Sequence, residues 1–178
     1  MASPEIRIIG LMGMPEAKAG DDVAAQIIEA ARAGPGIADG DVFVVTQKIV
    51  SKAEGRVVPL DSVTPSAEAE RVAAETEKDP RLVELILRES SRIVRQRGPV
   101  LITETHHGFV CANAGIDSSN VGPEGLVSLL PKDPDRSARE IREAIRSATG
   151  MDVAVIISDT FGRPWREGHA NVAVGVAG

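Results

Sequence analysis

Apolar positions recur along this chain with two different periods, and the switches between them mark its elements. Glu5 to Ile9 alternates and predicts a first strand. Gly10 to Gly20, with three glycines and a proline, predicts a loop. From Asp21 to Arg32 the period becomes helical, with Val23, Ile27, Ile28 and Ala31 on one face and acids in the first turn. Gly34-Pro35-Gly36 and Asp39-Gly40 end that helix, and Val42 to Thr46 reads as a buried strand. Gln47 to Arg56 leaves this strand carrying Lys48 and Lys52.

Three prolines then mark helix starts. Thr64-Pro65 predicts a helix to about Glu77 with proline at its first position. Asp79-Pro80 predicts another, with Leu82, Leu85 and Ile86 as its apolar face, and Asp133-Pro134 predicts a third to about Ser147. Arg92 to Arg95, Val100 to Thr103 and Gly108 to Cys111 read as strands between the second and third of these. Met151 to Ser158 and Asn171 to Val176 follow as the last two. The helical middle, about residues 65–90, is expected to form a subdomain of a single domain spanning 1–178. The chain stops inside apolar, strand-like sequence at Val174 to Gly178. Domains seldom end on an uncovered apolar strand, so a continuation of the domain is expected.

Composition narrows the function classes. At 178 residues the chain is long enough to bury a core, and 43% apolar content supplies one. A net charge of −6 argues against nonspecific nucleic-acid binding, and an aromatic content of 2% leaves no stacking platform for bases. No apolar run approaches membrane-spanning length, and the N-terminus has no signal-peptide core. The single cysteine, Cys111, fits a reducing compartment. The expectation is a cytoplasmic protein with neither nucleic-acid nor membrane partners.

Candidate chemistry concentrates at two loops. Ile157 to Gly168 (ISDTFGRPWREG) opens with Asp159 and Thr160 at the predicted end of an apolar strand. A carboxylate and a hydroxyl there suit a hard divalent cation, and ligands collect at such strand ends, although a turn or helix cap explains the pair as well. Arg163 and Arg166 can face phosphate or carboxylate oxygens, and Trp165 can pack a flat ring or plug a core. Asp117, in AGIDSSN, can share a metal with Asp159, or it and Asn120 can bond local N–H groups in an Asx-type turn. Lys48 and Lys52 can meet phosphates or lie solvated. Gly13-Met14-Pro15-Glu16 can wrap a nucleotide through its backbone. Neither a P-loop nor a dinucleotide fingerprint is present. His106 and His107 are poor co-ligands on a strand, because neighbours there face opposite ways. One solvated and one hydrogen-bonded histidine is expected. Cys111 reads as a small buried residue, and Glu104 as either a third acid for the site or a surface group.

Six segments in order resemble one family: GDD at Gly20 to Asp22, QKIVSKAEGR at Gln47 to Arg56, DPRLVELILRES at Asp79 to Ser90, GFVCANAGIDSSNVG at Gly108 to Gly122, LLPKDPD at Leu129 to Asp135, and ISDTFGRPWREG at Ile157 to Gly168. Together, from about Ile6 to Gly178, they are similar to the coenzyme F420 γ-glutamyl ligase (CofE-like) family. The resemblance implies an α+β fold, a mixed sheet with flanking helices, assembled as a homodimer. It implies a GTP-dependent, GDP-forming ligase that adds L-glutamate to coenzyme F420-0, then a γ-linked second glutamate, with Mn²⁺ or Mg²⁺ and K⁺. By similarity Asp117 and Asp159 are ligands of one metal, and Thr160 contacts a second. Asn120, Lys52 and the loop Met14, Pro15, Glu16 and Ala17 meet GTP. Lys48 joins them as a phosphate contact, and Lys52, Arg163 and Arg166 would neutralise charge during phosphoryl transfer. Family members continue past the equivalent of Gly178 through a strand-and-helix unit and a Gly-rich acidic loop, so an incomplete domain is expected. An arginine is expected in relatives where His106 stands. The alternatives are a nucleotide- or deazaflavin-binding module without turnover, a same-fold ligase for another carboxylate acceptor, and the front of a protein with a fused flavin-dependent domain.

Overall fold

In the computed structural model, which describes residues 5–162 and 169–178, five α-helices alternate with eight strands in an α+β arrangement. The order is α1 (Val23–Ala33), β1 (Val42–Thr46), α2 (Gln47–Ala53), β2 (Val57–Pro59), α3 (Ala67–Thr76), α4 (Pro80–Arg88), β3 (Ser90–Arg97), β4 (Val100–Thr105), β5 (Val110–Ala112), β6 (Leu126–Ser128), α5 (Pro134–Thr149), β7 (Ala154–Gly162) and β8 (His169–Ala177).

The strands form three small sheets. β7 is central in the mixed sheet β1-β7-β8, parallel to β1 and antiparallel to β8. β2 pairs with β6, and β3-β4-β5 form an antiparallel meander. The helix starts follow local hydrogen-bonding chemistry. Asp22 accepts from the Ala25 N–H, Asp79 from Arg81 and Asp133 from Arg136, each satisfying an otherwise unpaired first-turn donor.

Two apolar clusters hold these parts together. In the first, Ile27 and Ile28 of α1 and Ile141 and Ile145 of α5 pack on Val45, Val155 and Ile157 of the mixed sheet. In the second, Val72 of α3 and Val83 and Ile86 of α4 pack on Leu101, Ile116, Val127 and Leu129, so strands contribute to the cluster under the helical middle.

Several expectations need correction. Glu5 to Ile9 forms no strand. Among the described residues no strand pairs with it, and Ile6 and Ile8 are 91% and 96% exposed. β1 is not buried throughout, because Val45 and, less deeply, Phe43 turn into the core while Val42 and Val44 lie on the open face. Pro65 precedes α3 rather than opening it, and Ser66 is its cap through the Ala69 N–H. QKIVSKA is a helix, α2. β7 begins later than expected and runs on to Gly162, since β8 pairs with it along its whole length. β2 and β6 have three residues each, too few to show a period.

Candidate active site

The site grows from the point where β1 and β7 part. Thr46 lies opposite Ser158 in the parallel register. The chain after Thr46 winds into α2, while β7 continues alongside β8, so Gln47 and Asp159 fall next to each other at the carboxyl end of the parallel pair. Asp159 is therefore inside a strand rather than at its end. It shares a face with buried Val155, Ile157 and Phe161. Thr160 faces the other way and donates its hydroxyl to Asn171 Oδ1 at 2.6 Å. The Asp159 and Thr160 side chains thus lie on opposite faces of β7.

The loop after β5 reaches this point by a contorted path. Asn113, Ala114 and Gly115 take left-handed backbone angles in succession (φ 52°, 55° and 72°), and Ala114 does so fully buried. Left-handed backbone at non-glycine residues costs about 1–3 kcal/mol each and concentrates at functional sites. Asp117 is then clamped by its backbone: Ser128 N–H donates to Asp117 O at 2.8 Å, and Asp117 N–H to Ser128 O at 3.2 Å. Its side chain closes the expected Asx turn on the Ser119 N–H at 2.8 Å and accepts the Ser119 hydroxyl at 2.6 Å.

Lys48 joins the two halves. Its Nζ donates to Asp117 Oδ2 at 2.7 Å, to Ser119 O at 2.6 Å and to Ser119 Oγ at 3.1 Å. Burial works to raise the Asp117 carboxyl, but Lys48 and Ser119 outweigh it and hold the carboxyl below its ordinary range. Asp159 goes the other way. Burial pushes its carboxyl up and the Asp117 charge adds to this, with partial relief from the Thr160 N–H, the Gln47 amide and Lys48. Two carboxylates near enough to repel each other, facing an ammonium, form a hard-oxygen site. A divalent ion of the Mg²⁺ type takes one or two carboxylates and completes its shell with phosphate oxygens and water. Asp117 and Asp159 are the carboxylates that could contribute to such a shell. Among the described residues, no group of three or more His, Cys, Asp or Glu could hold an ion on protein ligands alone.

One turn further along α2, on the same face as Lys48, Lys52 pairs with Glu16. The Lys52 ammonium holds the exposed Glu16 carboxyl below its ordinary range. Glu16, Ala17, Lys52, Val121 and Gly122 line a cleft of about 380 Å³. Met14 packs against the first apolar cluster and anchors the 14–17 loop, with Pro15 exposed beside it. Asn120 is exposed, in left-handed backbone (φ 52°), just before the cleft-lining Val121. Lys52 thus shares the cleft with Val121 and Gly122, while Lys48, one turn back on α2, meets the same loop at Asp117 and Ser119.

The remaining candidates stand apart. Glu104 pairs with Arg92 at 2.6 Å. His106 and His107 occupy the turn between β4 and β5 rather than a strand, and both are hydrogen-bonded, His106 Nε2 with Arg88 O at 2.9 Å and His107 Nε2 with Pro131 O at 3.0 Å. Cys111 is 1% exposed, and burial pushes its thiol up to about 12. A thiol reagent is expected to leave it untouched in the native chain near about pH 8 and to label it fully after denaturation. Stoichiometric labelling of the native chain would contradict that. Arg163, Trp165 and Arg166 lie outside the described residues. Sequence reasoning passed over Gln47, which is 1% exposed and beside Asp159. Its only signal was its place directly after an apolar strand.

Comparison with known proteins decides the family. The family model described as F420-0:Gamma-glutamyl ligase matches residues 12–178. The chain belongs to this family. It is 55% identical to the coenzyme F420:L-glutamate ligase of Methanothermobacter thermautotrophicus over 174 residues, which is 97% of this chain and 69% of that protein. It is 49% identical to the coenzyme F420:L-glutamate ligase of Methanopyrus kandleri, over 98% of this chain and 68% of the relative. The protein of the same name from Methanocaldococcus jannaschii is 44% identical, over 98% of this chain and 68% of its own length. Among the described residues no helix is long and apolar enough to cross a membrane.

Proposed function

We propose that this chain is a coenzyme F420-0:L-glutamate ligase that forms its amide at the expense of GTP. The observation that supports this most is that Lys48, Asp117 and Asp159 converge beside the Lys52 cleft in a chain of this ligase family. A carboxylate is a poor electrophile toward an amine and must be activated. In the proposed reaction an oxygen of the acceptor carboxylate attacks the γ-phosphorus of GTP, and GDP leaves. The amine of L-glutamate then attacks the acyl carbon, orthophosphate departs with the bridging oxygen, and the amine loses a proton. The same sequence on the γ-carboxyl of the first glutamate adds a second.

Phosphoryl transfer of this kind depends on positioning and on neutralising charge. Lys48 and Lys52, one helical turn apart, suit successive phosphates, and Arg163 and Arg166 are proposed to contribute further positive charge. Asp117 and Asp159 would hold Mn²⁺ or Mg²⁺, which when bound offsets charge on the phosphates. Thr160, on the opposite face of β7, would serve a separate ion. Met14 to Ala17 and Asn120 would meet the nucleotide. K⁺ stimulation, a homodimer and a cytoplasmic location belong to the same proposal.

Mass spectrometry of the deazaflavin acceptor tests the function, with the chain supplied with L-glutamate, GTP and Mn²⁺. A gain of one or two glutamyl units that requires GTP is expected. An unchanged acceptor mass, or an equal gain without GTP, would overturn the proposal. Lys52→Ala is expected to weaken GTP binding by about 10-fold or more, because a charged phosphate contact is lost. The thermal midpoint should barely move, since the partner Glu16 is exposed and such pairs contribute about 0–1 kcal/mol. Calorimetry and a melting curve read both, and a changed midpoint with unchanged affinity would make Lys52 a structural residue.

A further inference from the structure

Gln47 and Ser51 are buried polar side chains beside Asp159 of the proposed metal site. Gln47 is 1% exposed and Ser51 is 0% exposed, one turn apart on α2. The Ser51 hydroxyl donates to Gln47 Oε1 at 2.7 Å. That bond holds the amide with its oxygen turned to Ser51, an orientation that the neighbouring Asp159 carboxylate favours. With its oxygen turned to Ser51, its NH₂ is presented to the Asp159 carboxylate beside it. The reverse orientation would set an amide oxygen against a carboxylate. Backbone register independently places the two residues side by side, because Thr46 and Ser158, which precede them, are partners in the parallel pair.

We propose that Gln47, oriented by Ser51, is the positioning residue for Asp159 and holds its carboxylate in the orientation that binds a divalent cation. The proposal rests on the reading of Asp117 and Asp159 as metal ligands. Carboxylates that bind metals need outer partners to fix their rotamer, and removing such a partner weakens metal binding by about 10–100-fold. Gln47 acts through Asp159, so its loss changes metal affinity without removing a ligand. Ser51 acts one step further out, so its loss changes affinity less.

The test is calorimetric titration of Mn²⁺ into the unaltered chain and into Gln47→Leu, Ser51→Ala and Asp159→Asn, each with a melting curve. The ¹H–¹⁵N spectrum of the Gln47 side-chain amide, assigned by its disappearance in Gln47→Leu, is recorded alongside. Expected are about a 10-fold or greater loss of affinity in Gln47→Leu, a smaller loss in Ser51→Ala and the largest in Asp159→Asn. The Gln47 amide signal should shift in Asp159→Asn. Ser51→Ala removes one oxygen only and keeps the test readable if Gln47→Leu folds poorly. Unchanged Mn²⁺ affinity in both folded variants would overturn the role of Gln47 and leave the metal reading standing. No Mn²⁺ binding by the unaltered chain would overturn the metal reading, and the role of Gln47 with it.

Discussion

Asp159→Asn is expected to lower glutamyl transfer by about 100-fold or more while leaving the metal-free protein at least as stable at neutral pH. The loss follows from removing one of two carboxylates proposed to hold the ion on the transferring phosphate, a contribution of the size seen when a single preorganised electrostatic group is deleted. The stability effect follows from the direction of the shift. Burial, and after it the Asp117 charge, raises the Asp159 carboxyl above its ordinary value. A group raised in the folded state favours folding when protonated, below its unfolded value, and that contribution is lost as pH rises through the folded value. At neutral pH the ionised Asp159 therefore costs stability that asparagine, being neutral, does not. Melting curves in the presence of a chelator should show a higher midpoint for Asp159→Asn at about pH 7. The difference should vanish below the ordinary aspartate value of about 4. A lower midpoint at neutral pH would mean that Gln47, Lys48 and the Thr160 N–H stabilise the carboxylate more than burial opposes it.

The largest effect on stability is expected at Gly175→Ala. Gly175 sits where β8 crosses the start of α5, and a Cβ there would lie 2.3 Å from Pro134 O, 2.4 Å from Pro134 C and 2.8 Å from Pro134 Cβ. The two shortest contacts are with backbone, so no rotamer change relieves them. β8 would have to lift away from α5. That would strain the bond from the Val176 N–H to Asp135 Oδ1, now 2.8 Å, and draw Val174 out of the first apolar cluster. Overpacking of this kind costs typically about 1–3 kcal/mol, and rigid backbone on both sides places Gly175 at the upper end. For a chain of this size each 1 kcal/mol lowers the thermal midpoint by about 2–4 °C, so a fall of about 6–12 °C is expected. An unchanged midpoint would show that β8 has room to shift.

What could be read in advance depended on whether a residue's role is fixed by its near neighbours in sequence. α1, α4 and α5 were legible because Val23, Ile27 and Ile28, or Pro80 and Pro134 after their aspartates, state a helix within a few residues. Glu5 to Ile9 shows the converse. Its alternation is what a strand needs on one face, but a strand also needs a partner, and partners are not written locally. Asp159 looked like a strand end because its apolar run stops at Ile157, while pairing with β8 carries the strand on to Gly162. Asp117 and Lys48 were each noticed, yet 69 residues separate them, and only the fold shows Lys48 bonded to Asp117. Gln47 was missed because a glutamine next to a lysine after a strand reads as solvated. Its burial comes from α2 packing against β7.

The proposed function requires that the acceptor carboxylate be activated by phosphoryl transfer from GTP beside Lys48, Lys52, Asp117 and Asp159. The most direct measurement supplies the acceptor with ¹⁸O in its reacting carboxylate and follows the label by mass spectrometry of the released orthophosphate. One ¹⁸O atom in orthophosphate is expected for the first glutamate joined, and none for the second, whose acceptor carboxyl comes from unlabelled glutamate. Joining of the first glutamate with release of unlabelled orthophosphate would contradict that activation.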